Sequence, residues 1–128
     1  SIPIAAGQNL GHVWAHRELI VNGAVDIPQP NVVHGGGYTE CIKVAALARA
    51  FNLPIANGGA WPLHNIHLHA GVPNGGHVEF HWLAWQAGEA IFVDPPNSSG
   101  GWVSVPDKPG LGFEPRSTEE LEEYRLKS

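Results

Sequence analysis

Short apolar runs alternate with longer stretches of helical period along this chain. Ile2-Pro3-Ile4-Ala5-Ala6 predicts a brief buried strand ending at Gly7. Ala24-Val25-Asp26-Ile27 predicts a second, closed by Pro28 and Pro30. Leu53-Pro54-Ile55-Ala56 gives a third, and His77-Val78-Glu79-Phe80-His81-Trp82 a fourth, after the turn Pro73-Asn74-Gly75-Gly76. Between the first two, residues 11–22 predict a helix with Val13, Trp14, Leu19 and Ile20 apolar, stopped by Asn22-Gly23. Thr39 reads as the N-cap of a helix over residues 40–51, where four alanines raise helix propensity and Ile42, Ala45 and Ala46 open an apolar stripe. A less regular helix spans 62–71. Residues 94–112 are rich in Pro and Gly, with a short strand at 101–105. Ser117-Thr118-Glu119-Glu120 is a capping box that opens a surface helix to about residue 126.

Strand and helix in strict succession is the mark of parallel β/α units. Four strands are too few to close a β/α barrel, which takes eight strands and about 250 residues. The chain has 128 residues. It therefore predicts an open sheet or half a barrel, with no internal repeat and no linker to divide it. The 16 Gly and 11 Pro fit many turns between short elements, and five Trp and four Phe supply core. No apolar run is long enough for a transmembrane helix, and seven scattered Lys and Arg against a net charge of −5 argue against a nucleic-acid surface. A single cysteine, Cys41, cannot close an internal disulfide and points to a reducing cytoplasm. The opening within strand-like sequence and the absence of Met read as a chain that begins partway through a fold.

Eight histidines raise the question of a metal. His12 and His16 are spaced to share a helix face, but the Glu of His-Glu-x-x-His is missing. His77, Glu79 and His81 share strand parity, while no regular element aligns His64, His67 and His69. Surface or hydrogen-bonded histidines are the simpler expectation. Gly35-Gly36-Gly37 precedes a helix without the spacing of a phosphate loop, and Cys41 has no base near it in sequence and reads as a packing residue.

A series of short motifs is more specific. Pro-Ile-Ala-Ala-Gly-Gln (3–8), Asp-Ile-Pro-Gln-Pro-Asn (26–31), Gly-Gly-Tyr-Thr-Glu (36–40), Leu-Pro-Ile-Ala (53–56), Ile-His-Leu (66–68), Val-Pro-Asn-Gly-Gly (72–76) and Val-Glu-Phe (78–80) occur in that order, followed by Asp-Pro-Pro (94–96) and Val-Pro-Asp-Lys-Pro-Gly-Leu-Gly (105–112). The order resembles the enolase superfamily, most closely its mandelate racemase/muconate lactonizing branch. The resemblance implies an α/β fold: a parallel half-barrel made of the last four β/α units of a modified TIM-type barrel. Residues 1–82 would form the half-barrel, and residues 83–128 an irregular C-terminal extension with a short helix, packing back on it as part of one partial domain.

The family takes a proton from the carbon next to a carboxylate and holds the enediolate on magnesium, whose charge offsets the second negative charge of the intermediate. Magnesium takes hard oxygen ligands, and the family supplies three carboxylates at strand ends. The position of the third ligand falls on Gln8, a neutral amide that is not expected to bind the ion alone. The Asp and His of the family's basic dyad fall on Asn31 and Gly58, neither competent for that role. Only the acid of the eighth strand matches, at Glu79, where an ordinary strand-end carboxylate is the competing reading. His67 matches a position that supports packing.

No cofactor is therefore expected in the isolated chain, although the intact family uses magnesium on small carboxylates and acid sugars. Two readings stay open. One is the C-terminal half-barrel of a racemase, cycloisomerase or acid-sugar dehydratase, inactive by itself; the other is a stand-alone binding or assembly domain derived from that family. An open half-barrel would leave two strand edges and the inner faces of Ile4, Ile27, Ile55 and Val78 uncovered, so self-association is expected.

Overall fold

The computed structural model describes residues 1–124. Its elements follow the order β1 (Ala5–Ala6), α1 (Val13–Val21), β2 (Ile27–Pro28), α2 (Gly37–Ala50), α3 (Pro62–Gly71), α4 (Trp82–Ile91), β3 (Phe92–Val93), β4 (Ser98–Ser99), β5 (Trp102–Val103), β6 (Glu114–Pro115) and α5 (Thr118–Leu121). None of these helices is long and apolar enough to cross a membrane.

The parallel layer is real but short. β1 and β2 pair in parallel, Ala5 with Ile27 and Ala6 with Pro28. The predicted third strand lies beside β2 through Ala56 N–H to Pro28 O, and Asn57 N–H donates to His77 O, with a parallel bridge between Ala56 and His77. Four extended segments thus stand side by side in chain order. Their ladders stop early because Pro28, Pro30 and Pro54 carry no N–H to donate. The start of β1 is fixed instead by Asp26, whose carboxylate accepts from Ile4 N–H while Ile4 O accepts from Asp26 and Ile27 N–H.

α1 packs against β2 and α2, and α2 against α3. In α2 the buried positions are Cys41, Val44, Ala45 and Ala48, one stripe at helical spacing. Ile42 and Ala46 face away, so the stripe runs one register from the expected one. Thr39 lies inside α2, and the cap is Gly36, in the left-handed region at φ 81°. Ile20, Cys41, Ala45, Ile55 and Leu68 meet in one core cluster. Ile55, expected on an uncovered inner face, is fully buried there, whereas Ile27 and Val78 are half-buried and Ile4 is exposed.

The expected fourth strand is reduced to the bridge at His77, because Trp82 opens a helix that the strand-like alternation of 77–82 concealed. His81 caps α4, its Nδ1 accepting from Ala84 N–H at 3.4 Å. α4 and the C-terminal residues build a second core in which Leu63, Trp85 and Phe113 are buried beside Phe80 and Phe92. His67 joins the two parts by donating from Nε2 to Leu111 O at 3.0 Å. β3 and β6 are antiparallel, as are β4 and β5, the latter pair turned by Gly100-Gly101 with both φ positive. The capping box is formed in full by Ser117 and Glu120 at α5. A 3₁₀ turn over Glu122–Tyr124 follows, and the last residues of the expected terminal helix lie outside the described ones.

Candidate functional site

In sheets of parallel β/α units, ligands gather at the carboxyl ends of the strands. Here that end carries Gln8 after β1, Gln29 and Asn31 after β2, Asn57 and Gly58 after the third segment, and Glu79 after His77. The structure brings together all four positions singled out from the sequence, Gln8, Asn31, Gly58 and Glu79.

Asn31 is fully buried and fully used. Its Nδ2 donates to Gly58 O at 2.6 Å and Ala60 O at 3.1 Å, and its Oδ1 accepts from Val33 N–H and Asn65 Nδ2. Asn65, also fully buried, accepts from Val32 N–H and donates to Trp61 O. The two amides therefore clip the segment 58–61 in place. That segment is strained: Ala60 and Trp61 hold φ of 76° and 59°, which non-glycine residues rarely adopt. Buried amides with both ends satisfied can hold such a conformation.

Gly58 leaves room for its neighbours. A Cβ there would stand 2.6 Å from Gln8 Oε1 and 2.9 Å from Gln29 Nε2, so any side chain at 58 displaces these amides. Glu79 is exposed, and its Oε2 accepts from Ala60 N–H at 3.4 Å. Its backbone N–H donates to Asn57 Oδ1 at 3.0 Å. Asn57 Nδ2 is buried and has no protein partner among the described residues. A cavity of about 380 Å³ opens here, bordered by Gln29, Asn57, His77, Glu79 and Gly101.

Glu79 is the one carboxylate in this set, and no three His, Cys, Asp or Glu among the described residues are grouped to hold a metal. Neutral amides do not replace the carboxylates that magnesium takes, so these residues do not fit that ion.

The remaining candidates lie elsewhere in the fold. His12 stacks on Trp14, while His16 is buried next to Gly7 and its pKa is pushed down by burial. Burial pushes the Cys41 thiol up to about 11, away from nucleophile chemistry. Glu40, in the first turn of α2, pairs with Lys43 and accepts from Val13 N–H at the start of α1; these contacts hold its carboxyl below the ordinary range. His69, buried beside an apolar cavity of about 360 Å³, accepts at Nδ1 from Gly76 N–H. Sequence reasoning missed Gln29, Asn57 and Asn65. Asn57 read only as part of a turn with Gly58-Gly59, and an Asn within an apolar helix face was the one available signal for Asn65.

A model of the family described as enolase C-terminal domain-like matches residues 1–120. Among curated proteins, 3,6-anhydro-alpha-L-galactonate cycloisomerase of Streptomyces coelicolor is 37% identical over 109 residues, 85% of this chain and 29% of that protein. Arabinonate dehydratase of Saccharolobus solfataricus is 31% identical over 131 residues, 99% of this chain and 35% of that protein. The crystal structure of L-talarate dehydratase from Polaromonas sp. JS666, complexed with Mg and L-glucarate, superposes with a TM-score of 0.78 at 33% identity, over 95% of this chain and 32% of that one. The chain thus spans about a third of the length of such relatives.

Proposed function

This chain belongs to the enolase C-terminal domain-like family, and from that premise we propose that it forms the last four β/α units of a barrel and does not itself abstract a proton. Residues 1–82 supply the half-barrel, and the extension that begins at residue 83 packs back on it through the Leu63, Trp85 and Phe113 core. The relatives include a cycloisomerase, a racemase with bound magnesium and dehydratases of sugar acids. In this chain the positions that would carry their chemistry hold Gln8, Asn31 and Gly58. We place it in the reducing cytoplasm, with Cys41 unpaired and buried.

The observation that carries this reading is the use made of Asn31. A group that orients a base must offer negative charge, but both hydrogens of this amide are spent on the carbonyls of Gly58 and Ala60. A carboxylate in the same place would face two carbonyl oxygens in a buried site, which is strongly unfavourable. Gly58 has no group to protonate, and Gln8 brings no charge to a cation. Glu79, exposed, accepts from Ala60 N–H, and no hydrogen bond joins its side chain to a base among the described residues.

A second reading, a binding or assembly domain, is favoured by the exposed side chains of Ile2 and Ile4 just before β1, which pairs only with β2 among the described residues. Both readings are tested by incubating the chain in D₂O with Mg²⁺ and a panel of 2-hydroxy and sugar acids, with exchange of the α-proton followed by NMR and bound metal by elemental analysis. The expected result is no exchange above the buffer blank and no stoichiometric metal. Exchange with one magnesium per chain would overturn the proposal.

A further inference from the structure

We infer that Asn22-Gly23, at the end of α1, is a site of spontaneous deamidation, and that the fold holds the other two Asn-Gly pairs, Asn57-Gly58 and Asn74-Gly75, against the same reaction. α1 leads into the amino end of β2, so the site lies apart from the strand-end positions and is independent of the reading above.

An Asn-Gly pair carries its own nucleophile. The glycine backbone nitrogen, losing its proton to solvent, attacks the asparagine Cγ. The N–Cγ bond forms, the Cγ–Nδ2 bond breaks, and ammonia leaves with a proton taken from water. Water then opens the five-membered succinimide at one of its two carbonyls, giving aspartate or isoaspartate, whose main chain runs through Cγ. One water is consumed and one ammonia released, with no oxidant or reductant. Glycine is the most permissive follower because it has no Cβ to crowd the attack and lets the chain turn freely.

What separates the three pairs is how much structure must open. Asn22 and Gly23 are both exposed, and nothing lies within 4 Å of where a Gly23 Cβ would stand. Gly23 N–H donates to Ile20 O, and Asn22 Nδ2 to Glu18 O at 2.7 Å, both within the last turn of α1. Helix ends fray at little cost, and fraying of this turn releases nucleophile and amide together.

Asn74 is tied across the fold instead. Its Nδ2 donates to Ala45 O and Leu53 O, both at 3.0 Å, and its carbonyl accepts from Ile55 N–H. Gly75 packs so closely on α3 that a Cβ there would overlap His69 O. A carboxylate in place of Asn74 would also face two carbonyl oxygens. Asn57 is 1% exposed, its Oδ1 accepts from Glu79 N–H, and Gly58 is buried beside Gln8 and Gln29. Asn97 is exposed but precedes Ser98, whose side chain crowds the attack.

The reaction would weaken α1. Either product removes the donor to Glu18 O and puts negative charge at the carboxyl end of the helix dipole, and isoaspartate lengthens the link to β2 by one main-chain carbon.

The test incubates the folded chain in mildly alkaline H₂¹⁸O beside a sample unfolded in urea. Peptides from an acidic digest in ordinary water are read by mass spectrometry, since opening of the succinimide marks its residue with ¹⁸O. In the folded chain the label should enter at Asn22 at least about tenfold faster than at Asn57, Asn74 or Asn97. In urea the three Asn-Gly pairs should react at similar rates. Asn22→Gln should stay unlabelled over the period in which the parent chain converts, and Asn22→Asp should lower the thermal midpoint. No label at Asn22 in the folded chain, once the urea sample has converted, overturns the inference. Label entering Asn57 or Asn74 as fast as Asn22 overturns it too. An Asn22→Asp midpoint equal to that of the parent overturns the consequence for α1.

Discussion

His69 shows how a single buried side chain ties this fold to pH. It is 6% exposed, and burial, aided by the charge of neighbouring His77, pushes its pKa down to about 4. Its folded value lies below the unfolded one, so between these values the unfolded chain binds the extra proton. Stability is therefore full above about pH 6.5 and falls as the pH drops toward 4. Urea titrations at pH 7 and 5 should differ by about 2 kcal/mol from this residue. His16 and His64, both lowered chiefly by burial, act in the same direction. In His69→Gln the pH dependence should flatten; an unchanged slope would show that His69 is not held neutral. None of this was legible in the sequence, where His69 was one of three clustered histidines without a common face. Cys41 is the opposite case. Its place on a helix with no base nearby marked it as packing, and it is 1% exposed in the core.

Among the elements, α3 was readable to its bounds, because Pro62 starts a helix cheaply and residue 71 ends the apolar period. The capping box at α5 was equally plain. α4 was missed, since its Trp and Leu residues follow a run with strand parity and Gly88 lowers helix propensity within it. The structure supplies the reason for that glycine: a Cβ at position 88 would overlap Leu63 Cδ1, and Leu63 is fully buried. Gly88→Ala should consequently destabilise the chain by about 1–3 kcal/mol, although alanine favours the helix by about 1 kcal/mol. Thermal unfolding checks the sign, and a stabilised variant would mean that α3 and α4 can separate without cost.

For the molecule as a whole, the open edge of the parallel layer is the feature with consequences. β1 pairs only with β2 among the described residues, and Ile2 and Ile4 beside it are 85% and 55% exposed. Trp82, Leu83 and Trp102 are exposed as well. Unpaired edges with apolar side chains favour pairing with another chain. Following the assembly reading, size-exclusion chromatography with light scattering should show a concentration-dependent dimer or larger species. Ile4→Lys should shift it toward monomer. A folded monomer at every concentration would refute that expectation.

The sequence by itself determined the first three β/α units, the bounds of α3, the capping box at α5 and the family, because these depend on local spacing and on motifs in fixed order. The family resemblance carried by those motifs also named Gln8, Asn31, Gly58 and Glu79, which the structure gathers at one end of the strands. What those positions do was decided only by the tertiary structure. That Asn31 and Asn65 clip a strained segment, that Gly58 yields space to Gln8 and Gln29, and that Asn57 keeps an unpartnered donor are contacts between residues far apart in the chain. A residue's type limits the hydrogen bonds it can make, but its partners are fixed only when the strands are laid side by side.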